Sequence, residues 1–328
     1  MSSYDERVKA VLAASGLKFG PRSRKYDGDV ADLVAEGRTD FAPALAITMY
    51  FDGPRERFAT GVIECWEELL AAYGDRLTWY ADEEMGKWQP ASGQRFRRPA
   101  RRLADSTAMP FYAWTALSGP RYADASPITF LATVRDGAGE ALSFVRATFP
   151  IARVASEAAA EDVVAAALRW CERVPFLHGY AGFTVNQSPT DAQINSGMLL
   201  QIADRFDGFE IDDCGGTALV ARDAIKGVNW LTFLAPTFVE RLGGAPSLRG
   251  RLSPAIGLHV LGDGGALIQA GRLPSYGDSN KSDELEAYRE VARIVRPICL
   301  DTHPDLGPAE FGSFGSENTR HWLRRFDS

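Results

Sequence analysis

The stretch from Gly227 to Asn280 constrains the fold of this 328-residue chain more than any other. Two apolar runs, Ile256–Leu261 and Ala266–Ala270, flank a Gly-Asp-Gly-Gly linker, which predicts a β-hairpin. The preceding run Val228–Leu234 is apolar on both faces, which is typical of a buried strand. Pro236 then favours the start of a short helix, and a following Gly-Gly pair favours its end. These patterns predict secondary structure, but they indicate no catalytic or ligand-binding function.

The rest of the chain alternates strand-like and helical patterns. Residues 54–73 and 157–171 carry apolar side chains at three- and four-residue steps, which predicts two amphipathic helices. Residues 128–134 and 142–149 predict a second hairpin. We also predict strands at 44–51, 77–81 and 180–185, helices at Tyr4–Ser15, from Thr190 or Asp191 to about Phe206, and from Asp283, and irregular segments at 86–107 and 207–226. Together these elements predict an α+β fold, with a mixed, largely antiparallel sheet flanked by helices.

The order of the elements allows two descriptions of the domain organisation. A strand, a long helix and a short strand occur at 44–81 and again at 142–185, which suggests a duplicated strand-helix-strand unit. No low-complexity linker divides the chain. We therefore expect one compact domain over residues 1–328, with two intimately packed halves at about 1–150 and 151–328 as the alternative.

Composition and charge exclude several classes of protein. A hydrophobic content of 45% and a charged content of 24% are typical of a soluble globular protein. The formal net charge of −7 disfavours direct nucleic-acid binding, because phosphates need a positive surface, and suits a basic protein partner. The four cysteines form no CxxC pair, which predicts reduced thiols. Without a signal-peptide core or a run of about 20 apolar residues, we expect a cytoplasmic protein that contacts no membrane.

A search for catalytic motifs finds few candidates. None of the four histidines has metal-ligand spacing, and the chain contains no G-x-S-x-G elbow, Walker loop or G-x-G-x-x-G sequence, so we predict no cofactor and no metal. His259 lies among apolar strand residues, which favours a satisfied core histidine over a ligand. Asp278 and Asn280 favour a turn held by side-chain bonds to backbone amides, with a bound cation or substrate as the alternative.

Two acidic clusters are candidates for binding a basic partner. One is Asp82-Glu83-Glu84, and the other spans Asp204 to Asp213, where five acids accompany one arginine. A solvated face is the ordinary interpretation, and a metal site or a surface that meets a basic protein are the alternatives. The candidate residues are Asp82, Glu83, Glu84, Asp207, Glu210, Asp212 and Asp213.

Two further sequence features concern loops. We expect four aromatic residues to lie exposed on loops and to be candidates for partner binding, because interface hot spots favour Trp, Tyr and Arg; they are Trp79, Tyr80, Trp88 and Tyr276. Five arginines between Arg95 and Arg102 could contact phosphate. Since Phe96 is the only aromatic residue among them, a solvated loop paired with nearby acids is favoured.

Motifs in the central block resemble a bacterial family of type VI secretion immunity proteins, once described only as a domain of unknown function. They are G-V-N-W-L-T-F-L at 227–234, E-R-L-G-G at 240–244, L-I-Q-A-G, P-x-x-G-D-x-N, and a later Tyr-Arg pair at 288–289. These specific motifs cover about the C-terminal third. The N-terminal strand, the Trp-containing helix and the Arg-rich middle are similar to the family in outline.

The resemblance implies a cytoplasmic, non-enzymatic protein. Members bind a cognate secreted toxin tightly and block its active or substrate-binding site. Several of these toxins are nucleases, so we expect a nuclease effector whose active or DNA-binding site is occluded. Residues that match the motifs are expected to hold the fold and not to contact the toxin; they are Trp230, Arg241, Gly243, Gly244, Gly277, Asp278 and Asn280.

Two other hypotheses stay open at this point. An enzyme using Asp278, Asn280 and His259 would need a pocket that gathers them with perturbed pKa values. A non-catalytic scaffold protein is the other. Inhibition itself could use acidic mimicry of DNA or steric plugging by aromatic anchors. Mimicry predicts that charge reversal slows association at low salt, and the residues to reverse are Glu83, Glu84, Asp212 and Asp213.

Overall fold

The computed structural model describes residues 40–82, 86–91, 98–104, 111–136, 139–189, 196–306 and 315–327, together with Gly28 and Val30. Ten strands form one sheet: β1 (Phe41–Phe51), β2 (Trp79–Asp82), β3 (Gln89–Pro90), β4 (Phe111–Leu117), β5 (Thr129–Arg135), β6 (Ser143–Pro150), β7 (His178–Gln187), β8 (Leu231–Leu234), β9 (Ile256–Val260) and β10 (Ala266–Ala270). Their order across the sheet is β3-β2-β4-β5-β6-β1-β7-β8-β10-β9. Neighbouring strands are antiparallel throughout.

Helices connect and flank these strands. They are α1 (Ala59–Tyr73), α2 (Arg98–Ala104), α3 (Glu157–Arg173), α4 (Ser196–Arg205), α5 (Cys214–Val220), α6 (Pro236–Arg241), α7 (Gly244–Arg251), α8 (Glu286–Val295) and α9 (Ser316–Leu323). The prediction of an α+β fold with a largely antiparallel sheet is confirmed. The predicted hairpin of the central block is the β9–β10 pair.

Strand β1 occupies the middle of the sheet because its sequence is almost entirely apolar and can be buried on both faces. It pairs with β6 on one side and with β7 on the other. Since β6 and β7 are both antiparallel to β1, they run parallel to each other, and the chain between them crosses one face of the sheet through α3.

Helices α1 and α3 pack on each other and contribute to the main hydrophobic core, through Trp66 and Trp170 among others. Gly61 permits the close approach, because a side chain there would collide with the carbonyl oxygen of Arg173. Glu68 of α1 accepts from two guanidinium groups of α3, at 2.7 Å from Arg169 and 2.5 Å from Arg173. Residues from both halves of the chain contribute to this core.

A second, smaller core lies outside the main one. Tyr50 of β1, Phe144 of β6 and Tyr180 of β7 pack there against Cys214 and Ala218 of α5. These strand residues alternate along the strands with those of the main core, so α5 lies on the face of the sheet opposite α3. The smaller core therefore sets the position of α5.

Several elements were not predicted from the sequence. Strand β4 and helices α2, α5 and α7 fall in segments where no element was expected or where a loop was predicted. The sheet also gives no support to a duplicated unit, because β2 lies four strands away from β1, whereas only β1 separates β6 from β7. The predicted helix at Tyr4–Ser15 and the start of the helix at Thr190 or Asp191 lie outside the described residues.

In the part of the chain that the structure describes, no helix combines the length and the apolar character needed to cross a bilayer.

Candidate functional site

Two motif residues of the central block contact the backbone around them. Trp230 is fully buried, and its Nε1–H donates to the carbonyl of Gly271 at 3.0 Å. Arg241 donates to the carbonyl of Asp223 at 2.6 Å, and its guanidinium lies 5.2 Å from the centre of the Phe238 ring. Trp230 therefore ties two segments of the block together, and Arg241 ties the block to the residues just before it.

The motif glycines adopt backbone conformations that other residues rarely take. Gly243 and Gly244 have φ angles of 92° and 83°, which allow α6 to turn directly into α7. Gly277 has a φ of 62°, and a methyl group there would collide with the side chain of Leu285. The glycines are needed for the chain path at these turns.

Asp278 and Asn280 lie in one turn, and Asp278 also forms a buried ion pair with Arg205. Nε and Nη2 of Arg205 each donate to the Asp278 carboxylate at 3.0 Å, and the backbone N–H of Asn280 donates to the same carboxylate at 3.0 Å. Arg205 also donates to the carbonyl of Gly28. The Arg205 hydrogen bonds hold the pKa of Asp278 below its usual range. His259 is a β9 residue whose ring bonds elsewhere, so the structure does not gather the three residues of the enzyme hypothesis.

Glu210 is buried, which contradicts its expected place on an acidic surface. Its carboxylate lies 2.8 Å from Nζ of Lys226 and 3.6 Å from Nη2 of Arg325, and it accepts a 2.6 Å hydrogen bond from Asn229. The Arg325 guanidinium stacks 3.7 Å from the centre of the Trp322 ring. The Glu210 carboxylate is therefore paired with two cations inside the fold, beside the C-terminal helix α9, and is not available as surface charge.

Asp212 is also removed from the surface, with a side chain only 9% exposed. Its carboxylate accepts from Nη2 of Arg146 at 2.6 Å, from the Thr184 hydroxyl at 2.7 Å and from the Tyr180 hydroxyl. Burial raises the pKa of Asp212, but the charges of Arg146 and Lys226 and the hydrogen bonds from Tyr180 and Thr184 together outweigh it and hold the pKa below its usual range. The expectation that the acids of 204–213 lie on a solvated face is therefore wrong for Glu210 and Asp212.

The other acidic candidates also have local partners where the structure describes them. The carboxylate of Asp213 accepts at 2.9 Å from the backbone N–H of Gly216 and caps the N-terminus of α5. The backbone N–H of Asp207 donates to the carbonyl of Gly277. Asp82 is buried and accepts from the Tyr112 hydroxyl at 3.1 Å. Two candidates lie outside the described residues: Glu83 and Glu84.

The aromatic candidates divide into buried and accessible groups. Tyr80 is buried, contrary to its expected exposure, and Tyr276 stacks 4.3 Å from Phe183. Trp79 and Trp88 are partly exposed, and both rings contact that of Tyr122, with centroids at 5.8 Å and 6.2 Å. We call Trp79, Trp88 and Tyr122 the aromatic surface.

The loop that carries Tyr122 is held in place by its own polar groups. The guanidinium of Arg121 lies 2.7 Å from the carboxylate of Asp124, and the Ser118 and Ser126 hydroxyls are 2.7 Å apart. The charged residues next to the aromatic rings in sequence are Lys87 and Arg121, which are exposed cations. Since Arg121 is paired with Asp124, the charge that these neighbours add to the aromatic surface comes mainly from Lys87.

A different surface lies at the end of α5, where sequence analysis predicted an irregular segment. Leu219 is 57% exposed, more than any other large hydrophobic side chain in the described ranges, and Val220 beside it is 39% exposed. The backbone N–H of Leu142 donates to the carbonyl of Ala218 at 2.8 Å, which fixes the helix end against the β5–β6 hairpin. The only sequence signal for this site was the short run Thr-Ala-Leu-Val at residues 217–220.

Acidic residues lie on the segments that meet beside these two apolar residues. The guanidinium of Arg222 forms an ion pair with Asp52 and donates to the carbonyl of Gly139 at 2.7 Å, so β1, the β5–β6 turn and α5 meet here. We call this site the end patch; it comprises Leu219 and Val220 with Asp52, Asp136, Glu140 and Asp223. These four carboxylates outnumber the cations that contact them, which are Arg222, paired with Asp52, and Arg241, which donates to the carbonyl of Asp223. The border of the end patch is therefore acidic on balance.

A buried histidine supports the end patch from beneath. Nε2–H of His178 donates to the carbonyl of Ala221 at 2.8 Å, which links β7 to the residue that follows α5. Burial lowers the pKa of His178 to about 4, so the ring is neutral at pH 7. Thr217 of α5 forms a 2.8 Å hydrogen bond with His303, whose pKa burial also lowers to about 4. The exposed apolar residues therefore project from a firmly held helix.

Comparison with known proteins identifies the family. The family model TsiV, described as type VI immunity for VRR-NUC, matches residues 61–326. The chain belongs to the TsiV family. The resemblance to type VI secretion immunity proteins is thereby confirmed, and the function of this TsiV protein is type VI immunity for a nuclease effector. The matched range includes both the aromatic surface and, apart from Asp52, the end patch.

The fold of this TsiV protein also occurs in a solved structure. The Pseudomonas aeruginosa T6SS protein PA0821 superimposes with a TM-score of 0.78 at 21% identity, over 99% of this chain and 92% of that chain. At this level of identity the similarity shows a shared fold. A search of curated proteins gave no match. In the described ranges, no group of three His, Cys, Asp or Glu side chains is placed to hold a metal ion.

Proposed function

We propose that this TsiV protein binds its cognate nuclease effector through the end patch and covers the surface with which the effector contacts DNA. It acts as an inhibitor and catalyses no reaction. The observation that supports this proposal is the exposure of Leu219 and Val220 within a border of carboxylates. An apolar centre with a polar rim is the usual composition of a protein–protein interface.

The charge of the border favours the DNA-contacting surface of a nuclease. A nuclease must hold phosphates with lysine and arginine side chains, so that surface is basic. Asp136, Glu140 and Asp223 are exposed carboxylates that complement such a surface. Complementary charge accelerates association and disfavours wrong partners. The mildly acidic chain as a whole, with a net charge of −7, adds to the same attraction.

The rigidity of α5 favours tight binding. Asp213 caps its first turn, His303 bonds Thr217 in its middle, and His178 holds the residue after its end. A surface that is already ordered loses little conformational entropy when the partner binds. Leu219 and Val220 can therefore contribute most of their burial energy to affinity.

A competition assay with the purified cognate effector tests this function. The TsiV protein should stop DNA cleavage at a one-to-one ratio, and saturating amounts of a non-cleavable DNA duplex should reduce the apparent affinity of the effector for the protein. The intact mass of the effector should not change, since inhibition here needs no covalent step. Equal affinity with and without saturating DNA would place the contact away from the DNA-binding surface and contradict the proposal.

A further inference from the structure

A groove on the opposite face of the sheet is not part of the end patch. It lies between helix α3 and the β9–β10 hairpin, at the edge of the sheet, and has a volume of about 460 Å³. This volume falls within the range of roughly 300–1,000 Å³ that is usual for ligand pockets. The groove opens to solvent beside β9, the last strand of the sheet, so a ligand can enter it with part of its structure remaining outside.

The walls of the groove are charged or polar. Glu157 of α3 and Arg272 form an ion pair at 2.9 Å. Nε2 of His259 and Oε1 of Gln269 are 3.3 Å apart and form a hydrogen bond. Glu161, one turn along α3 from Glu157, has neither a hydrogen bond nor an ion pair with any described residue. Arg272 acts on Glu161 only through space, so the carboxylate oxygens of Glu161 are available to a ligand for hydrogen bonding.

The floor of the groove is apolar. Val164 and Leu168 lie on the same side of α3 as Glu161, at three- and four-residue steps, and Ala165 lies beside them. Val164 is almost fully buried, and Leu168 is partly buried. An aliphatic chain laid on this floor would contact these side chains and lose its contact with water.

The charges of the groove favour a cation over an anion. Two carboxylates, Glu157 and Glu161, line it with one guanidinium, Arg272, and that guanidinium is already paired with Glu157. An anion would have to displace Glu157, whereas a cation can pair with Glu161 directly. Among biological cations, arginine combines an aliphatic stem with a planar guanidinium that binds a carboxylate through two parallel hydrogen bonds.

We propose that this groove binds an arginine side chain of a peptide segment, with the guanidinium on Glu161 and the stem on Val164 and Leu168. The peptide backbone lies outside the groove along β9, where the sheet has a terminal edge. The groove and the end patch lie on opposite faces of the sheet, so this interaction is separate from the proposed covering of the effector's DNA-contacting surface.

Titration of the full-length protein with N-acetylarginine amide tests the proposal, with N-acetylcitrulline amide as the uncharged control of nearly the same shape. The His259 ring resonances report binding by NMR. The arginine compound should bind at least about fivefold more tightly than the citrulline compound. Equal binding of the two compounds, or no binding of the arginine compound at millimolar concentration, would overturn the proposal.

Two variants and one further ligand complete the test. Glu161→Gln should remove the preference for arginine, whereas Asp162→Asn, an exposed acid on the same helix that does not line the groove, should keep it. Free L-arginine should bind no more tightly than the capped compound. Tighter binding of the free amino acid would make the ligand a small molecule and not a peptide, and retention of the preference in Glu161→Gln would exclude Glu161 as the anchor.

Discussion

The end patch and the aromatic surface both expose apolar side chains, but they lie at opposite ends of β5. The loop that carries Tyr122 precedes Thr129 at the start of β5, and the turn beside Leu219 follows Arg135 at its end. The length of the strand separates them by about 20 Å. The two surfaces are therefore distinct sites, and their contributions to effector binding can be measured separately.

The charges around the two surfaces distinguish them. Carboxylates border Leu219 and Val220, whereas the charged neighbours of the aromatic surface are the exposed cation Lys87 and Arg121, which is paired with Asp124. A basic, DNA-binding partner is attracted by the first arrangement and is not attracted by the second. Residue type alone favours the aromatic surface, because Trp and Tyr dominate hot spots, while Leu and Val do so less often. The comparison teaches that charge can be more informative than residue type when the partner is a nuclease.

Charged residues in the apolar centre of the end patch should have the largest effect. The double substitution of Leu219→Asp with Val220→Asp should weaken effector binding at least about a hundredfold, or about 3 kcal/mol, because two carboxylates would be buried at the interface. Leu273→Asp is the matched control, since Leu273 is 40% exposed beyond the far end of β10. Calorimetric titration measures the effector affinity of both variants. Wild-type affinity in the double variant would show that the effector does not bind at the end of α5.

Lowering the pH should destabilise the fold around the end patch more than around the aromatic surface. The folded-state pKa values of His178 and His303 are about 4, below the unfolded value of about 6.5. Their neutral forms stabilise the fold fully above pH 6.5, and this stabilisation is lost as the pH falls towards 4. We expect the unfolding free energy to fall by a few kcal/mol over this range, and His178→Gln, which keeps a donor to Ala221, to reduce the dependence.

Hydrogen exchange measured by mass spectrometry locates this effect. After correction for the intrinsic rates, protection of residues 214–222 should decrease between pH 7 and pH 5, while protection of 118–127 should change less. Equal losses in the two regions would show that the buried histidines do not act on the end patch in particular.

Charge reversal at the border of the end patch should have an intermediate effect. Glu140→Lys combined with Asp223→Lys should slow association with the effector about tenfold at low salt, and the difference should shrink as the ionic strength rises. Asp305→Lys combined with Glu317→Lys changes the net charge equally at exposed positions elsewhere. Stopped-flow kinetics compare the two pairs. Equal slowing by both would show that overall charge, and not the border, steers the encounter.

Removal of the aromatic surface should have the smallest effect. Trp88→Ala combined with Tyr122→Ala should change effector affinity by less than about threefold, because these rings lie outside the proposed contact. Calorimetric titration, as for the double variant of Leu219 and Val220, measures the effector affinity. A loss of a hundredfold here, with little loss in the Leu219 variant, would reverse the assignment of the two surfaces.

Local sequence patterns were sufficient for much of the fold. Helix α3 follows from its apolar spacing and its Ser156 cap, and the β9–β10 hairpin follows from its glycine-rich turn. Asp278 was expected to accept backbone hydrogen bonds in a turn, and it does so from Asn280. In each case the interacting groups are close in sequence, so residue type and spacing carry the information. The family motifs could also be identified from the sequence alone.

The candidate site could not be predicted in the same way. Glu210 and Asp212 have the composition of a surface acid cluster, but Lys226, Arg325 and Arg146 come from distant parts of the chain and neutralise them inside the fold. Helix α5 contains two glycines and has only seven residues, so its own propensity is low. It forms because Cys214 and Ala218 pack against the sheet.

By itself, the sequence determined the strands and helices with strong periodicity, the predominance of antiparallel pairing and the family. Only the tertiary structure decided which charges are buried, where α5 lies and which apolar side chains stay exposed. The physical reason is that a carboxylate or a leucine is equally compatible with either environment until a distant segment packs against it. Contacts between residues far apart in the chain make that choice, and no local pattern contains them.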